Sequence, residues 1–293
     1  MERLPTELVT QILSYMSKKE LKIISFISSE YRSLVIPFLF RRIRPWRFGL
    51  TRLDVSDLIT CLRNNHRISL VVRVLDAREI GLSRQPLEEI RQIMEITTGW
   101  ESLLLHVYEH IHLEVFDDKT KMQLRRLEFT QATGPTGPKL SHLLNILSSC
   151  ANLIDLEIPN VVDSWFKSCD ADGSAITPWM NRLEKYHGPS YPLGYLHNDT
   201  PLHRLRITTP ASSPMLRRLG PLVGQQLLTL HINLALTGRP LVEKGSPPPS
   251  LFPSSFLNLQ YFSWFMVKSQ PGSVASDLVR TFLSPSLLFI IYI

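Results

Sequence analysis

A short pattern, Leu-x-x-Leu-x-apolar, recurs at Leu124/Leu127/Phe129, Leu153/Leu156/Ile158, Leu202/Leu205/Ile207 and Leu227/Leu230/Ile232, with a looser copy at Leu259/Phe262/Trp264. The first positions of successive copies lie 29, 49, 25 and 32 residues apart. Reading the long interval as two units, with Leu183 to Tyr186 as a weak strand between them, gives a period of about 27 residues, the size of a strand-and-helix unit. Helix spacing fills the intervals: Leu140, Leu143, Leu144 and Leu147 lead through Cys150-Ala151-Asn152 into the strand-like Leu153 to Ile158. Val55, Leu58, Ile59 and Leu62 precede the β-branched run Leu70 to Leu75 in the same order. A unit of this size cannot bury its apolar face alone, so neighbouring units must stack.

The N-terminus follows a different rule. Val9, Ile12, Leu13 and Met16 have the spacing of one helix face, and Leu8 and Tyr15 widen the apolar stripe to about half the circumference. Pro5 and Glu7 suit a first turn. A second helix is predicted through Leu21, Ile24 and Ser28 after a polar break at Ser17-Lys18-Lys19-Glu20. A third, through Tyr31, Leu34 and Val35, is predicted to stop before Pro37. About 45 residues cannot bury so wide an apolar arc among themselves, and another domain or protein must cover the remainder.

Leu4-Pro5-x-Glu7-Leu8, Ile12-Leu13-Ser14-Tyr15, Leu21, Ser28, Tyr31-Arg32-x-Leu34, Pro37, Leu39-Phe40 and Ile43 together resemble the F-box, in its fungal-type form. Tyr31 stands where many members have tryptophan. The resemblance implies a three-helix module over residues 1–46 that packs on the Skp adaptor subunit and through it on cullin. Leu4, Pro5, Leu8, Ile12, Leu13, Leu21, Ile24, Tyr31 and Leu34 are the implied adaptor-binding residues. The remainder, 47–293, resembles an irregular leucine-rich-repeat array, which implies an α/β fold: an F-box followed by a solenoid with parallel strands on its concave face. The function implied is a non-catalytic substrate adaptor of a cullin ubiquitin ligase. The alternative is a leucine-rich-repeat interaction scaffold outside any ligase.

Composition fits a folded chain, with 44% hydrophobic and 20% charged residues. Cys61, Cys150 and Cys169 are odd in number and widely spaced, which indicates neither a disulfide framework nor a zinc site. The charged start MERLPTELV lacks a leader's apolar stretch, and no run approaches a membrane span. A cytoplasmic or nuclear location is expected, with no membrane partner. The closing Ser286-Leu287-Leu288-Phe289-Ile290-Ile291-Tyr292-Ile293 reads as a strand without a polar cap, which suggests a truncated or mis-predicted end. Prolines mark loops at 134–138, 188–201, 210–214 and 246–250, and residues 238–255 are the expected mobile segment.

The local signatures of hydrolases, dinucleotide enzymes, NTPases and zinc proteases are missing, so no enzyme, cofactor or metal is expected. Asp170-x-Asp172-Gly173 has its glycine too early for a calcium loop, and Asn181 stands where the bidentate glutamate belongs; it reads as a turn. His106, His110 and His112 lack further ligands. Asn198-Asp199-Thr200 is a sequon that matters only in the secretory pathway. Arg41 to Arg47, with Trp46, reads as solvated arginines leaving the third helix, and nucleic-acid contact is not expected. Strand alternation instead turns Arg126/Glu128, Asp155/Glu157, Arg204/Arg206 and Thr229/His231 away from the core as one charged ladder. That ladder is the candidate contact for a protein substrate of unknown identity.

Overall fold

The computed structural model describes residues 4–44, 52–78, 87–97, 99–105, 123–129, 138–159, 161, 163–170, 173–210, 213–235, 256, 258–267 and 288–292. His106, His110, His112, Trp46, Asp172 and residues 238–255 lie outside these. The chain divides into two compact units, Met1–Leu124 and Arg125–Ile293. It is a mixed α/β chain, with helices at the N-terminus and parallel strands after them.

The first unit begins with α1 (Thr6–Ser14), α2 (Lys18–Ser25) and α3 (Ser29–Phe40). The polar stretch predicted as a break is the start of α2: the Ser17 amide donates to Glu20 Oε2 at 2.7 Å, and the Glu20 amide donates to Ser17 Oγ at 3.4 Å. This reciprocal cap satisfies two amides that the first turn leaves without partners. Ser28 is not part of α2 either; it caps α3 by accepting from the Tyr31 amide at 3.1 Å. Nor does α3 stop before Pro37, but continues to Phe40. Proline deletes one helical hydrogen bond, and Phe38 and Leu39 beyond it pack against the Leu13, Leu21 and Val35 core, which offsets that loss.

α3 runs directly into β1 (Arg42–Ile43), followed by α4 (Arg52–Asn64), α5 (His66–Val71), β2 (Val74–Ala77), α6 (Leu87–Ile96) and β3 (Ser102–Leu105). β1 pairs parallel with β2, and β2 with β3. The run at 70–75, expected to be strand throughout, begins as helix because Asn65 Oδ1 accepts from the Ile68 amide at 3.3 Å and caps α5. Val72, Leu75 and Ala77, and then Trp100, Leu103 and Leu105, are buried at the offsets of the leucine pattern. Strand-containing repeats of the same kind therefore start well before Leu124. A search for leucine misses them because valine and tryptophan hold the first position.

The second unit contains β4 (Arg126–Phe129), α7 (Pro138–Ser149), β5 (Asp155–Glu157), α8 (Asp163–Cys169), α9 (Thr177–Met180), β6 (Lys185–Gly188), a 3-10 turn at Tyr191–Tyr195, β7 (Arg204–Pro210), α10 (Ser213–Val223), β8 (Thr229–Ala235), β9 (Tyr261–Val267) and β10 (Leu288–Tyr292). Each of these strands pairs parallel with the next in chain order. The weak copy near Leu183 is β6, and the apolar C-terminal segment forms β10.

One hydrogen-bonding device recurs. The carbonyl just before each of several strands accepts two amides from the following unit: Arg125 from Ile154 and Asp155, Ile154 from Glu184 and Lys185, Glu184 from His203 and Arg204, His203 from Leu228 and Thr229. Within the first unit, Arg41 accepts from Arg73 and Val74 in the same way, at 2.8 and 2.9 Å. The helical module thus ends on a residue that already belongs to the strand register.

Asp170 is buried, and its carboxylate accepts from the amides of Ala175 and, at 2.8 Å, Ile176. The acid is thus committed to these amides and to the Ser174 hydroxyl, which donates to it at 3.4 Å. Gly173 has φ +75°, and a Cβ there would lie 1.9 Å from Tyr195 Cε1. Gly173→Ala is expected to destabilise the second unit by about 2 kcal/mol, from the left-handed backbone and the displaced ring together. A denaturant midpoint checks this.

Candidate docking surfaces

The first surface lies on the N-terminal helices. Val9, Leu13 and Met16 face inward from α1, Leu21 and Ile24 from α2, and Val35, Leu34, Phe38 and Leu39 from α3. Each inward stripe on α1 has an apolar neighbour one residue earlier, so Leu8, Ile12 and Tyr15 form a second stripe rotated by 100°. That second stripe is exposed, Ile12 at 53% and Tyr15 at 83%. Ile23, Phe26 and Ile27 at the end of α2 are exposed as well, Phe26 at 80%, as are Leu4 and Tyr31. Exposed large apolar groups concentrated in this way mark a surface that another protein covers.

The predicted adaptor-binding residues therefore divide by location. Leu4, Pro5, Leu8, Ile12 and Tyr31 are on the surface, whereas Leu13 and Leu21 are buried and Ile24 and Leu34 are packed against them. Leu13 and Leu21 can only shape the surface from within, whereas Ile24 and Leu34 pack against them and remain partly exposed. Ile23, Phe26 and Ile27 went unpredicted. The sequence shows that they are apolar but not which of two apolar arcs the module closes upon.

The second surface is the strand face of the second unit. Strand register aligns Arg126, Asp155, Lys185, Arg204, Thr229 and Tyr261 in one row. Glu128, Glu157, His187, Arg206, His231 and Ser263 form the next. All eight predicted ladder residues fall in these rows, and Leu127, Leu156, Leu205 and Leu230 alternate with them into the core, but Glu128 and Asp155 are themselves buried rather than exposed, because Arg126 and its neighbours cover them. Lys185 and His187 were missing from the prediction, since β6 carries Tyr186 and Gly188 where its neighbours β5 and β7 carry leucine and isoleucine. From Arg126 to His231 the rows line a concavity of about 390 Å³.

Charge is unevenly compensated along this groove. Arg126 reaches Glu157 at 2.6 Å, Glu128 at 2.9 Å and Asp155 at 3.7 Å, and Lys185 reaches Asp155 at 3.7 Å. Burial opposes the charge on Arg126, but the carboxylates of Asp155, Glu157 and Glu128 outweigh it and raise its pKa. Burial pushes the Asp155 carboxyl up, against Arg126 and Lys185. His187 Nδ1 lies 3.4 Å from Glu157. Among the described residues, no carboxylate pairs with Arg204 or Arg206. Burial and then the positive charge of Arg206 and His187 push the His231 imidazole down.

Among the described residues, no three His, Cys, Asp or Glu side chains converge as a metal site, and no helix is long and apolar enough to cross a membrane. The arginine stretch after α3 is not simply solvated: Arg42 and Arg44 both bond Asp76, and Arg41 pairs with Glu101 at 3.3 Å.

A three-helix module with a buried core and a second apolar face left outside defines a class, the small helical docking domain. The F-box domain pattern matches residues 1–42. The chain accordingly carries an F-box domain at its N-terminus; F-box domains bind Skp1 and thereby cullin in SCF complexes, generally as non-catalytic adaptors. No curated protein matches the chain.

Proposed function

We propose that this chain is a substrate-recognition adaptor of an SCF-type cullin ubiquitin ligase, with the F-box seated on the Skp adaptor and the charged strand face holding a target protein. The observation that carries the reading is the exposed stripe Leu8, Ile12 and Tyr15 beside the buried stripe Val9, Leu13 and Met16. The parallel strands, the buried residues at leucine-pattern offsets and the repeated carbonyl device support reading the remainder as an irregular leucine-rich-repeat solenoid. Catalysis resides in other subunits, and the adaptor acts by proximity: a target lysine held near a charged ubiquitin carrier reacts as if intramolecularly. The cytoplasm or nucleus is the location this role requires.

Co-expression of the full chain with the Skp adaptor tests the reading. A soluble one-to-one complex on size exclusion is the expected outcome. A chain that elutes alone would instead favour a repeat scaffold outside any ligase.

A further inference from the structure

The groove has one end whose positive charge is answered within the protein and one whose charge is not. Arg126 and Lys185 are held by Glu128, Asp155 and Glu157. On β7, Arg204 and Arg206 are exposed and lack a carboxylate partner among the described residues. They stand two positions apart on one strand face, about 7 Å, with neighbouring strands about 4.8 Å to either side. In register beside Arg204 are Lys185 and Thr229, and beside Arg206 are His187 and His231. The two guanidiniums thus face one small area of the concavity with the Thr229 hydroxyl and the His231 imidazole on one side, and on the other Lys185 and His187, which Asp155 and Glu157 already engage.

We propose that the Arg204/Arg206 end of this groove binds a carboxylate or phosphate group on an extended segment of the target protein. This deepens, and rests on, the reading of the strand face as the target-binding surface. Paired guanidinium forks suit planar or tetrahedral oxyanions, which they meet with charge-assisted hydrogen bonds. Burial first, and then the positive charge of Arg206 and His187, hold the His231 imidazole down, and an incoming anion would offset the second of these. The partner is a peptide rather than a nucleic acid, because Glu128, Asp155 and Glu157 line the same rows two and three strands away. A polyanion crossing the groove would run onto them, whereas a peptide can place its acidic groups at one end only.

The test uses the full chain and three fluorescent peptides: alternating glutamate and glycine, the same with a central phosphoserine, and the same with glutamine for every glutamate. Both anionic peptides are expected to bind more tightly than the glutamine peptide, with the phosphoserine peptide ahead if the site favours a dianion and level if it favours carboxylates. Arg204→Glu with Arg206→Glu is expected to weaken anionic-peptide binding by about tenfold or more. Arg218→Glu, an equal change of sign per residue at an exposed position on α10, should leave it unchanged. The pair Arg204→Gln and Arg206→Gln adds no negative charge and serves if the reversal disturbs the strand. Equal affinity for all three peptides, an equal loss in Arg218→Glu, or tighter binding of a single-stranded oligonucleotide would overturn the proposal. Titrating the same preparations with the Skp adaptor separates the two readings: if the adaptor binds and the peptides do not, only this inference fails, and if the adaptor alone fails to bind, the ligase reading fails.

Discussion

Asp76→Ala is expected to lower the stability of the first unit by about 3 kcal/mol, the lower end of what breaking a buried ion pair costs. The Asp76 side chain is 4% exposed and takes Arg42, Arg44 at 2.9 Å and Arg78 at 2.9 and 3.0 Å. Alanine would leave three guanidiniums converging on one another without the carboxylate that draws them together. The lower end applies because the arginines themselves are between 31% and 41% exposed, so solvent screens part of their repulsion. The location matters as much as the magnitude. Arg42 and Arg44 follow the F-box directly and Asp76 lies on β2, so the cluster fixes the F-box exit to the first strands.

The same carboxylate gives a pH signature. Burial alone would push the Asp76 carboxyl up, but hydrogen bonds and charge from Arg78 and Arg42 outweigh it and hold the group well below the usual carboxylate range. A depressed folded pKa means that the contribution is fully present above the unfolded value, about 3.9, and is lost as pH falls further. Chemical denaturation monitored by hydrogen exchange at residues 42–44 and 74–77 checks both points. The unmodified chain should lose stability steeply below about pH 4, and the variant should be weaker at neutral pH with a shallower acid slope.

Ile12→Asp combined with Phe26→Asp is expected to weaken Skp adaptor binding by at least about 100-fold, close to 3 kcal/mol. Covering a large apolar side chain is worth about 1.5–3 kcal/mol, and an aspartate in its place must shed water without an assured partner. The fold itself should be unchanged, since both side chains are exposed in the free chain. Leu13→Asp is the contrasting substitution: Leu13 is 2% exposed, so that variant should lose the module along with the adaptor. Circular dichroism alongside the binding measurement tells the two kinds of loss apart.

Alternation and offset made the strand face legible in the sequence. Leu156 and Ile158 have to point one way, which leaves Asp155 and Glu157 pointing the other, and both fall in the expected rows, although Asp155 is buried there. The first strands were hidden because burial at Val72 and Trp100 depends on shape and size rather than on leucine. The helix breaks were misplaced for a different reason. Ser17 and Glu20 look like a polar gap but act as a cap, and Pro37 is tolerated because tertiary packing holds the turn beyond it. Asp76 gave no sequence signal, since its three arginines are drawn together only once β1 and β2 pair. The apolar arc of α1 was readable, but not which half of it would remain outside.

The most direct test of the central claim is a calorimetric titration of the purified full chain with the Skp adaptor. The account predicts saturable one-to-one binding with a negative heat-capacity change, the mark of apolar surface leaving water, and loss of that binding in the Ile12→Asp, Phe26→Asp chain. An unmodified, folded chain that gives no binding heat at several temperatures and forms no complex on size exclusion would contradict it.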